Sequence, residues 1–300
     1  MTRGGGEARG RSELIFIVGV DCATVPSRTG LTLATYEKEI LLVHECRVAD
    51  RRIDVASQIH AWIGEARRVL LALDSPLGWP ARLGADLARH HAGAPIHVAS
   101  DLLFRRRTDE VVRTHLAKAP LEVGADRIAR TAVSALLTLE HLRELTGRRI
   151  PLAWRPWSGS GVKAIEVYPA GTLRSYERGG GPTEGGGPAK GGGPAKGGDP
   201  AKGGRPAKGR LPAERKRALL KQLVRRGKLR FAPGRFEALA NEHILDSVVC
   251  AVSAVDFLEG RVIHPQTETE KKLARKEGWI YVRGPERQAL RNRHPRPRSS

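Results

Sequence analysis

The sequence has few of the residues that mark secreted, membrane-bound or zinc-finger proteins. Its three cysteines, Cys22, Cys46 and Cys250, include no CxxC pair. No apolar run approaches the ~20 residues of a membrane-spanning helix, and the N-terminal segment MTRGGGEARGRSE lacks the apolar core of a signal peptide. We therefore expect a cytoplasmic protein with reduced thiols and no membrane partner.

Aromatic residues and methionine are also scarce, at 5% and a single Met. The hydrophobic share of 40% still supplies an ordinary core of Leu, Val, Ile and Ala. What the chain has in excess is positive charge, with a formal net charge of +20. Because each Lys or Arg that meets a phosphate releases a counterion, this charge favours a polyanionic partner such as DNA or RNA. Basic tails that only keep a protein soluble are the alternative explanation.

Three segments have the composition of chain that does not fold. Residues 1–12 are rich in Gly and Arg, and residues 283–300 are rich in Pro and Arg. Between them lie the five hexapeptides GGGPTE, GGGPAK, GGGPAK, GGDPAK and GGRPAK, which have nothing apolar to bury. We predict a disordered N-terminus, a low-complexity linker over 178–210 and a flexible basic tail. One folded domain remains, made of residues 13–177 and 211–282.

The folded part predicts a mixed α/β sheet of five strands flanked by helices. The strands are Leu14–Asp21, Thr29–Tyr36, Glu39–Val48, Val69–Asp74 and Val162–Gly171. Only turns separate the first three, which favours an antiparallel meander. The segment Val55–Arg68 has apolar residues at helical spacing, so it would cross over and let the fourth strand lie parallel to the first.

Helical patterns dominate the rest of the predicted domain. They cover Arg82–His91, Asp109–Leu116, Ala125–Leu145, Pro212–Arg226 and Glu242–Arg261. The first three form a helical insertion between the fourth and fifth strands. Gly278–Val282 has the composition of a last strand or hairpin arm.

Four carboxylates occupy positions at which apolar residues are expected. Asp21 and Asp74 each end an apolar run, Glu166 interrupts the run AIEVY, and Asp246 lies near the start of the last packed helix. Burying an unpaired carboxylate costs several kcal/mol, so each could instead be a cap, a water-facing strand end or half of a salt bridge. Carboxylates that share a hard cation remove this cost, and Mg²⁺ or Mn²⁺ prefers such ligands.

Several other residues are candidates for contacts with a substrate. Arg106 and Arg107 belong to an arginine run beside Asp109 that could clamp a phosphate, although a solvated helix entry is the alternative. Lys163 could reach phosphate from the rim of a site, but it also fits an ordinary surface lysine. His243, one helical turn before Asp246, could assist as a general base or act as a cap.

Five motifs together resemble a known family. VGVDCA, ALDSPLGWP, RRRTDEVV, AIEVYPAG and HILDSVVCAVSA occur in that order between residues 15 and 260, and they are similar to the domain-of-unknown-function 429 family. That family consists of predicted nucleases with a ribonuclease H-like fold, related to Holliday-junction resolvases. The resemblance implies such a fold, a possible homodimer, and a metal role for Asp21, Asp74, Glu166 and Asp246. It also implies that Arg106 or Arg107, with Asp109, faces the same cleft.

The resulting hypothesis is a metal-dependent phosphodiesterase that acts on DNA or RNA. Two bound metal ions ~3.5–4 Å apart can activate a water and stabilise the leaving oxygen of a phosphodiester. Two alternatives remain open. An actin-like or sugar-kinase-like phosphotransferase has a similar opening to VGVDCATVPSRTG, but the chain lacks a second Asp-Gly-rich phosphate turn and a later Gly-Gly adenosine loop. A non-catalytic nucleic-acid-binding protein would use the same basic segments without the acids.

Overall fold

The computed structural model describes residues 14–124, 126–179 and 213–285, which form a mixed α/β fold around one seven-stranded sheet. In chain order the strands are β1 (Ile15–Asp21), β2 (Gly30–Glu37), β3 (Ile40–Val48), β4 (Arg68–Leu73), β5 (Gly161–Val167), β6 (Leu229–Phe231) and β7 (Ile280–Tyr281). Across the sheet their order is β6-β3-β2-β1-β4-β5-β7. Residues from both sides of the repeat segment therefore contribute to the same sheet.

One strand runs against the other six described strands. β2 is antiparallel to β1 and to β3, whereas the remaining neighbours, β1–β4, β4–β5, β5–β7 and β3–β6, are parallel. The carboxyl ends of β1, β4 and β5 consequently meet at one edge of the sheet. This edge is where polar groups from different strands can converge.

Nine α-helices are present in the described part of the chain. They are α1 (Val55–Ile63), α2 (Ala81–Leu87), α3 (Ser100–Phe104), α4 (Arg107–Leu116), α5 (Asp126–Thr146), α6 (Pro169–Gly179), α7 (Ala213–Arg225), α8 (Glu242–Leu258) and α9 (Glu268–Glu277). None of the helices within these ranges is long and apolar enough to cross a membrane.

The helices cover both faces of the sheet. On one face α8 packs over β1 and β2, and its core includes Ile17, Leu70 and Val248. On the other face α1 and α5 pack against each other and cover Val18, Leu71 and further apolar residues of the sheet. This alternation along β1 and β4 is what a strand buried on both faces requires.

The contact between α8 and β1 is backbone to backbone. A Cβ atom at Gly19 would lie 2.1 Å from the Ser247 carbonyl oxygen and 2.9 Å from the Ala251 nitrogen, so only glycine fits there. The Ser247 hydroxyl also hydrogen-bonds the Thr32 hydroxyl at 2.7 Å in the buried interface. These contacts fix where the first turns of α8 lie relative to the end of β1.

The structure confirms a mixed α/β fold with a helix-flanked sheet, and it differs from the predictions at the edges. All five predicted strands form, the segment Gly278–Val282 supplies β7 as a last strand, and the short strand β6 completes a sheet of seven. The first predicted helix ends at Ile63 rather than Arg68, because Gly64 at its end has a φ of 41°. Of the predicted unfolded segments, residues 1–12 and most of 178–210 and 283–300 lie outside the described residues.

Replacing Gly19 by alanine should destabilise the protein by about 2 kcal/mol or more, because α8 has to move away from β1. Urea-induced unfolding followed by circular dichroism measures this change. Gly84→Ala is the matched control, since a Cβ there meets nothing within 4 Å and lies inside helix α2. The control should be neutral or slightly stabilising. Equal urea midpoints for Gly19→Ala and wild type would contradict the close approach.

Candidate functional site

Two of the four singled-out carboxylates lie side by side at the carboxyl edge of the sheet. Asp21 is the last residue of β1, and Asp74 directly follows β4. Val20 and Leu73 are paired neighbours in the parallel ladder, and the Asp74 N–H donates a hydrogen bond of 2.9 Å to the Val20 carbonyl oxygen. Because paired residues of parallel strands project from the same face, Asp21 and Asp74 leave the sheet together.

Helix α8 brings two further groups to this edge. Asn241 caps the helix by accepting hydrogen bonds from the His243 and Ile244 N–H groups. Two residues after this cap, the His243 Nδ1 atom lies 2.7 Å from Asp21 Oδ2, so the start of the helix is hydrogen-bonded to the end of β1. Asp246 follows on the same side of the helix and is buried.

The Asp74 carboxylate is surrounded by like charge. Burial raises its pKa well above the usual range, and the negative charges of Asp21 and Asp246 raise it further, while Lys216 opposes them. Within the described part of the chain no hydrogen bond reaches the Asp74 carboxylate. A carboxylate kept in this environment is destabilising for the free protein, which is typical of a functional position.

Lys216 supplies the positive charge nearest to the cluster. Its ammonium group forms an ion pair with Asp246, and both side chains are nearly inaccessible to solvent. Helix α7 holds Lys216 on the same buried side as Leu219 and Leu220. A lysine on the apolar side of an amphipathic helix is the sequence signal that could have predicted this contact, and the sequence analysis missed it.

Cys22, next to Asp21, is not a candidate nucleophile. Burial raises the pKa of its thiol well above the usual value, and the charges of Asp74 and Asp21 raise it further. The thiolate is the reactive form of cysteine. At neutral pH the group is therefore a protonated thiol that lines the site.

Glu166 has a partner of its own. The Arg106 guanidinium donates to both carboxylate oxygens, with Nη2–Oε1 at 2.7 Å and Nη1–Oε2 at 2.9 Å. The Leu77 N–H donates to Oε2 at 3.1 Å. Burial raises the Glu166 pKa above its usual value, and Arg106 offsets only part of this increase. Glu166 thus binds both Arg106 and the loop that follows Asp74. We predicted it as a metal ligand, and in this structure its carboxylate oxygens are already occupied by these contacts.

The Arg106 side chain is likewise occupied by contacts within the protein. Its side chain is 1% exposed and also binds Asp109, with Nη2–Oδ1 at 2.9 Å, and the Glu277 carbonyl oxygen at 3.1 Å. Arg107 pairs with Glu110 and Glu270 at the surface. The predicted phosphate clamp of Arg106, Arg107 and Asp109 is in this structure a set of ion pairs, because each guanidinium meets protein carboxylates first.

Lys163 lies apart from these groups. It belongs to the middle of β5, where its ammonium nitrogen is 4.5 Å from the centre of the Trp157 ring. Burial lowers its pKa, with smaller contributions from Arg155 and Arg68. Lys163 therefore does not lie at the carboxylate edge, where the predicted contact with a substrate phosphate would be made.

A cleft of about 210 Å³ opens beside Asp74. Its polar lining consists of Cys22, Asp74, Ser75, Arg106, Thr131, Glu166 and Tyr168, and its apolar lining includes Pro76, Leu121 and Ile128. Burial raises the pKa of Tyr168, and the charge of Asp74 adds to this effect. The cleft gives a small group access to Asp74 from the side of Arg106.

The structure thus brings together three of the four predicted carboxylates. Asp21, Asp74 and Asp246 form what we call the carboxylate cluster, with His243 on Asp21 and Lys216 on Asp246. Glu166 stands beside it, neutralised by Arg106. Among the described residues, no three His, Cys, Asp or Glu side chains are arranged so that they could by themselves hold a metal ion.

Comparison with known proteins gives one match. A family model described as "Protein of unknown function (DUF429)" matches residues 19–270, most of the chain. The same comparison finds no curated protein and no solved structure that matches this chain significantly.

Replacing Asp74 by asparagine should stabilise the metal-free protein at pH 8 and not at pH 4. A carboxyl whose pKa is raised by folding stabilises the native state while protonated, and this contribution is lost as the pH rises through the native pKa. Asparagine stays uncharged at both pH values, so the variant does not lose this contribution to the free energy of unfolding. Urea unfolding in EDTA at both pH values measures the difference, which at pH 8 should exceed the ~0.5 kcal/mol of ordinary surface substitutions.

The exposed Asp50 is the control for this measurement. Asp50→Asn should change stability little at either pH, because the side chain is exposed and an asparagine oxygen can still accept the hydrogen bond from the Arg52 N–H. If Asp74→Asn is less stable than wild type at pH 8, the Asp74 carboxylate has a stabilising partner and the description of the cluster is wrong.

Proposed function

The chain belongs to the DUF429 family of proteins of unknown function, and from this premise we propose that it is a divalent-metal-dependent nuclease that hydrolyses phosphodiester bonds of DNA or RNA. One observation carries the proposal: Asp21, Asp74 and Asp246 come together at the carboxyl edge of the sheet, from three separate elements. A purely structural role would not require Asp74 to be buried beside Asp21 and Asp246 without an ion pair of its own among the described residues.

The topology supports the same assignment. Strands β1–β5 have the order β3-β2-β1-β4-β5 with β2 antiparallel, and a helix crosses from β3 to β4. We propose that this core is ribonuclease H-like, with β6 and β7 as additions at its two edges. The cluster then lies where the two central parallel strands, β1 and β4, end.

The donor chemistry of the cluster fits Mg²⁺ or Mn²⁺. Both ions prefer carboxylate oxygens, and Mg²⁺ commonly binds one or two carboxylates together with water and substrate phosphate. Asp21 and Asp74 would hold the ion, and Asp246 would join them when Lys216 gives way. A bound cation would also offset the repulsion that raises the pKa of Asp74. Such an ion supplies an activated water and stabilises the leaving oxygen of a phosphodiester.

His243 is placed to move a proton beside the ion. Asp21 binds its Nδ1 atom at 2.7 Å and fixes the orientation of the ring. The side chain keeps 30% of its exposure, so Nε2 is left to exchange a proton with water or substrate. Asp21 would then both bind metal and position His243, a combination common among metal-site carboxylates.

Helix α7 supports a polyanionic substrate. Its exposed side, the following turn and strand β6 carry six exposed basic residues, Arg215, Lys221, Arg225, Arg226, Lys228 and Arg230. The same helix places Lys216 against Asp246. A nucleic-acid backbone bound along the exposed side of α7 would reach the carboxylate cluster only at the end of the helix that holds Lys216, and such phosphate contacts give affinity without sequence preference.

Calorimetric titration with Mn²⁺ should show binding to wild type and its loss in Asp21→Asn/Asp74→Asn, because the double variant removes both ligands from the β-strand ends. In the same buffer, wild type should cleave labelled single-stranded, duplex and branched DNA and RNA, and EDTA should stop the cleavage. The double variant should bind these substrates but leave them intact.

Asp50→Asn/Asp86→Asn is the matched control, because it removes two acids that do not belong to the carboxylate cluster. It should keep both Mn²⁺ binding and cleavage. Absence of Mn²⁺ binding to folded wild type, with and without substrate present, would sink the metal proposal. Metal-independent binding of nucleic acid without cleavage would identify a non-catalytic binding protein.

Replacing Lys216 by methionine should strengthen Mn²⁺ binding roughly tenfold, because it removes a positive charge from beside the cluster. It should also lower the melting temperature in EDTA, since Asp246 loses its buried partner. A Mn²⁺ titration followed by differential scanning fluorimetry measures both effects. Lys221→Met, on the exposed side of the same helix, should change neither. Equal Mn²⁺ affinity in the two variants would show that the metal does not compete with Lys216.

A further inference from the structure

The cleft beside Asp74 contains apolar groups that the proposed metal chemistry does not use. Leu121, Ile128 and the ring of Tyr168 belong to its lining. Metal ions, water and phosphate oxygens are polar, so apolar side chains gain nothing from contact with them. A substrate group that fills this cleft therefore has to present an apolar surface of its own as well as polar atoms.

The size of the cleft limits what can enter it. Its volume of about 210 Å³ is below the roughly 300–1,000 Å³ of pockets that hold drug-sized ligands. A single nucleobase is a flat, largely apolar group with a polar edge, and it is small enough for such a space. A base that is still paired and stacked inside a duplex cannot enter until it is extruded from the stack.

The Tyr168 ring is held in a fixed position at the cleft. Tyr168 lies between β5 and α6, and its ring rests on Gly171, where a Cβ atom would be 2.5 Å from the ring carbon Cδ1. The ring also packs on the apolar cluster that contains Val112 and Leu116. An aromatic ring that is held in this way is a ready surface on which a base can stack, at little cost in side-chain freedom.

Leu121 lies at the opening of the cleft and is 63% exposed. The residues that follow it are fixed, because the Glu122 carboxylate accepts a hydrogen bond of 2.9 Å from Arg105 Nε and the Val123 side chain is fully buried. A single exposed leucine is common on protein surfaces. This one belongs to the same cleft as Tyr168, so it enlarges the apolar surface that a ligand in the cleft would meet.

Two hydroxyl groups of the lining suit the polar edge of a base. Among the described residues none is hydrogen-bonded to the Tyr168 hydroxyl, and its raised pKa keeps it protonated, so it is a donor. The Thr131 hydroxyl donates to the Arg127 carbonyl oxygen at 2.8 Å, which leaves its own oxygen as an acceptor. The Watson–Crick edge of an unpaired base offers partners for both.

We propose that this cleft, which we call the base cleft, binds one unpaired nucleobase of the substrate next to the phosphodiester that is cleaved. The preferred substrate is then single-stranded or locally unpaired DNA or RNA. This inference rests on the proposed nuclease function. The cleft adjoins Asp74, so a nucleotide whose phosphate lies at the carboxylate cluster has its base within reach of Tyr168 and Leu121. Stacking on an aromatic ring accepts every base, because every base has a π-face.

Binding measured without cleavage tests the base cleft. In EDTA, fluorescence anisotropy compares a labelled single strand of about ten nucleotides with a strand of the same length that lacks its bases. The second strand keeps all the phosphates, so it reports phosphate contacts alone. Wild type should bind the complete strand about tenfold more tightly than the strand without bases.

Two substitutions in the cleft should remove most of this difference. Leu121→Ser takes away the apolar side chain at the opening, and Tyr168→Leu takes away the ring and its hydroxyl. Neither should weaken binding of the strand without bases by more than about twofold, since no phosphate contact is lost. Leu137→Ser is the matched control, because Leu137 is 64% exposed and does not line the cleft. Circular dichroism of each variant checks that the fold is retained.

A cleavage assay in Mn²⁺ adds a second readout. Wild type should cleave the single strand, and a duplex with a short unpaired gap, at least roughly tenfold faster than a continuous duplex, because a paired base must first be extruded.

The two assays separate the base cleft from the nuclease assignment. Equal affinity for the two strands, no binding of either, an equal loss in Leu137→Ser, or equally fast cleavage of the continuous duplex would overturn the base cleft and leave metal-dependent cleavage standing. Base-dependent binding that Leu121→Ser abolishes, without any cleavage, would support the base cleft and count against the nuclease.

Discussion

The backbone contact between α8 and β1 is the constraint from which the rest of the site follows. Gly19 lets the helix lie directly on the strand, and Ser247 binds Thr32 of the neighbouring strand. The first two turns of the helix are thereby fixed over the end of β1. His243 then reaches Asp21, and Asp246 comes close enough to act on Asp74. A larger side chain at position 19 would move the start of α8 away from the end of β1, and the site would be disrupted although none of its own residues had been replaced.

The acids at this edge differ in how firmly a cation binds them. Arg106 forms a bidentate pair with Glu166 inside the protein, and an arginine bound in this way is both rigid and fully used. Lys216 makes a single contact with Asp246 through a flexible side chain. Glu166 therefore belongs to the supporting structure, whereas the Asp246 partner is one that another cation can replace. Asp74 has neither kind of partner among the described residues, and its negative charge is opposed both by burial and by the charges of Asp21 and Asp246.

The sequence predicts the central strands well, because each is a short apolar run bounded by turns or by an acid. It also predicts the family, which the match over residues 19–270 confirms. The edge strand β6, with three residues, is too short to leave a periodic pattern. The partner of Glu166 could not be predicted either. Arg106 and Glu166 are 60 positions apart, and which of three adjacent arginines turns inward is decided by tertiary packing.

The distance along the chain between α8 and β1 has a consequence for biosynthesis. Thr32 and Ser247 are separated by 215 positions, so the helix that covers one face of the central sheet leaves the ribosome long after the strands that it covers. Until then the apolar residues of that face, such as Ile17 and Leu70, have no cover from α8. Early strands formed by local turns must wait for a late, non-local contact, which slows folding and prolongs exposure to aggregation. The carboxylate cluster is complete only when this last step has occurred, so an incomplete chain carries the acids without the site.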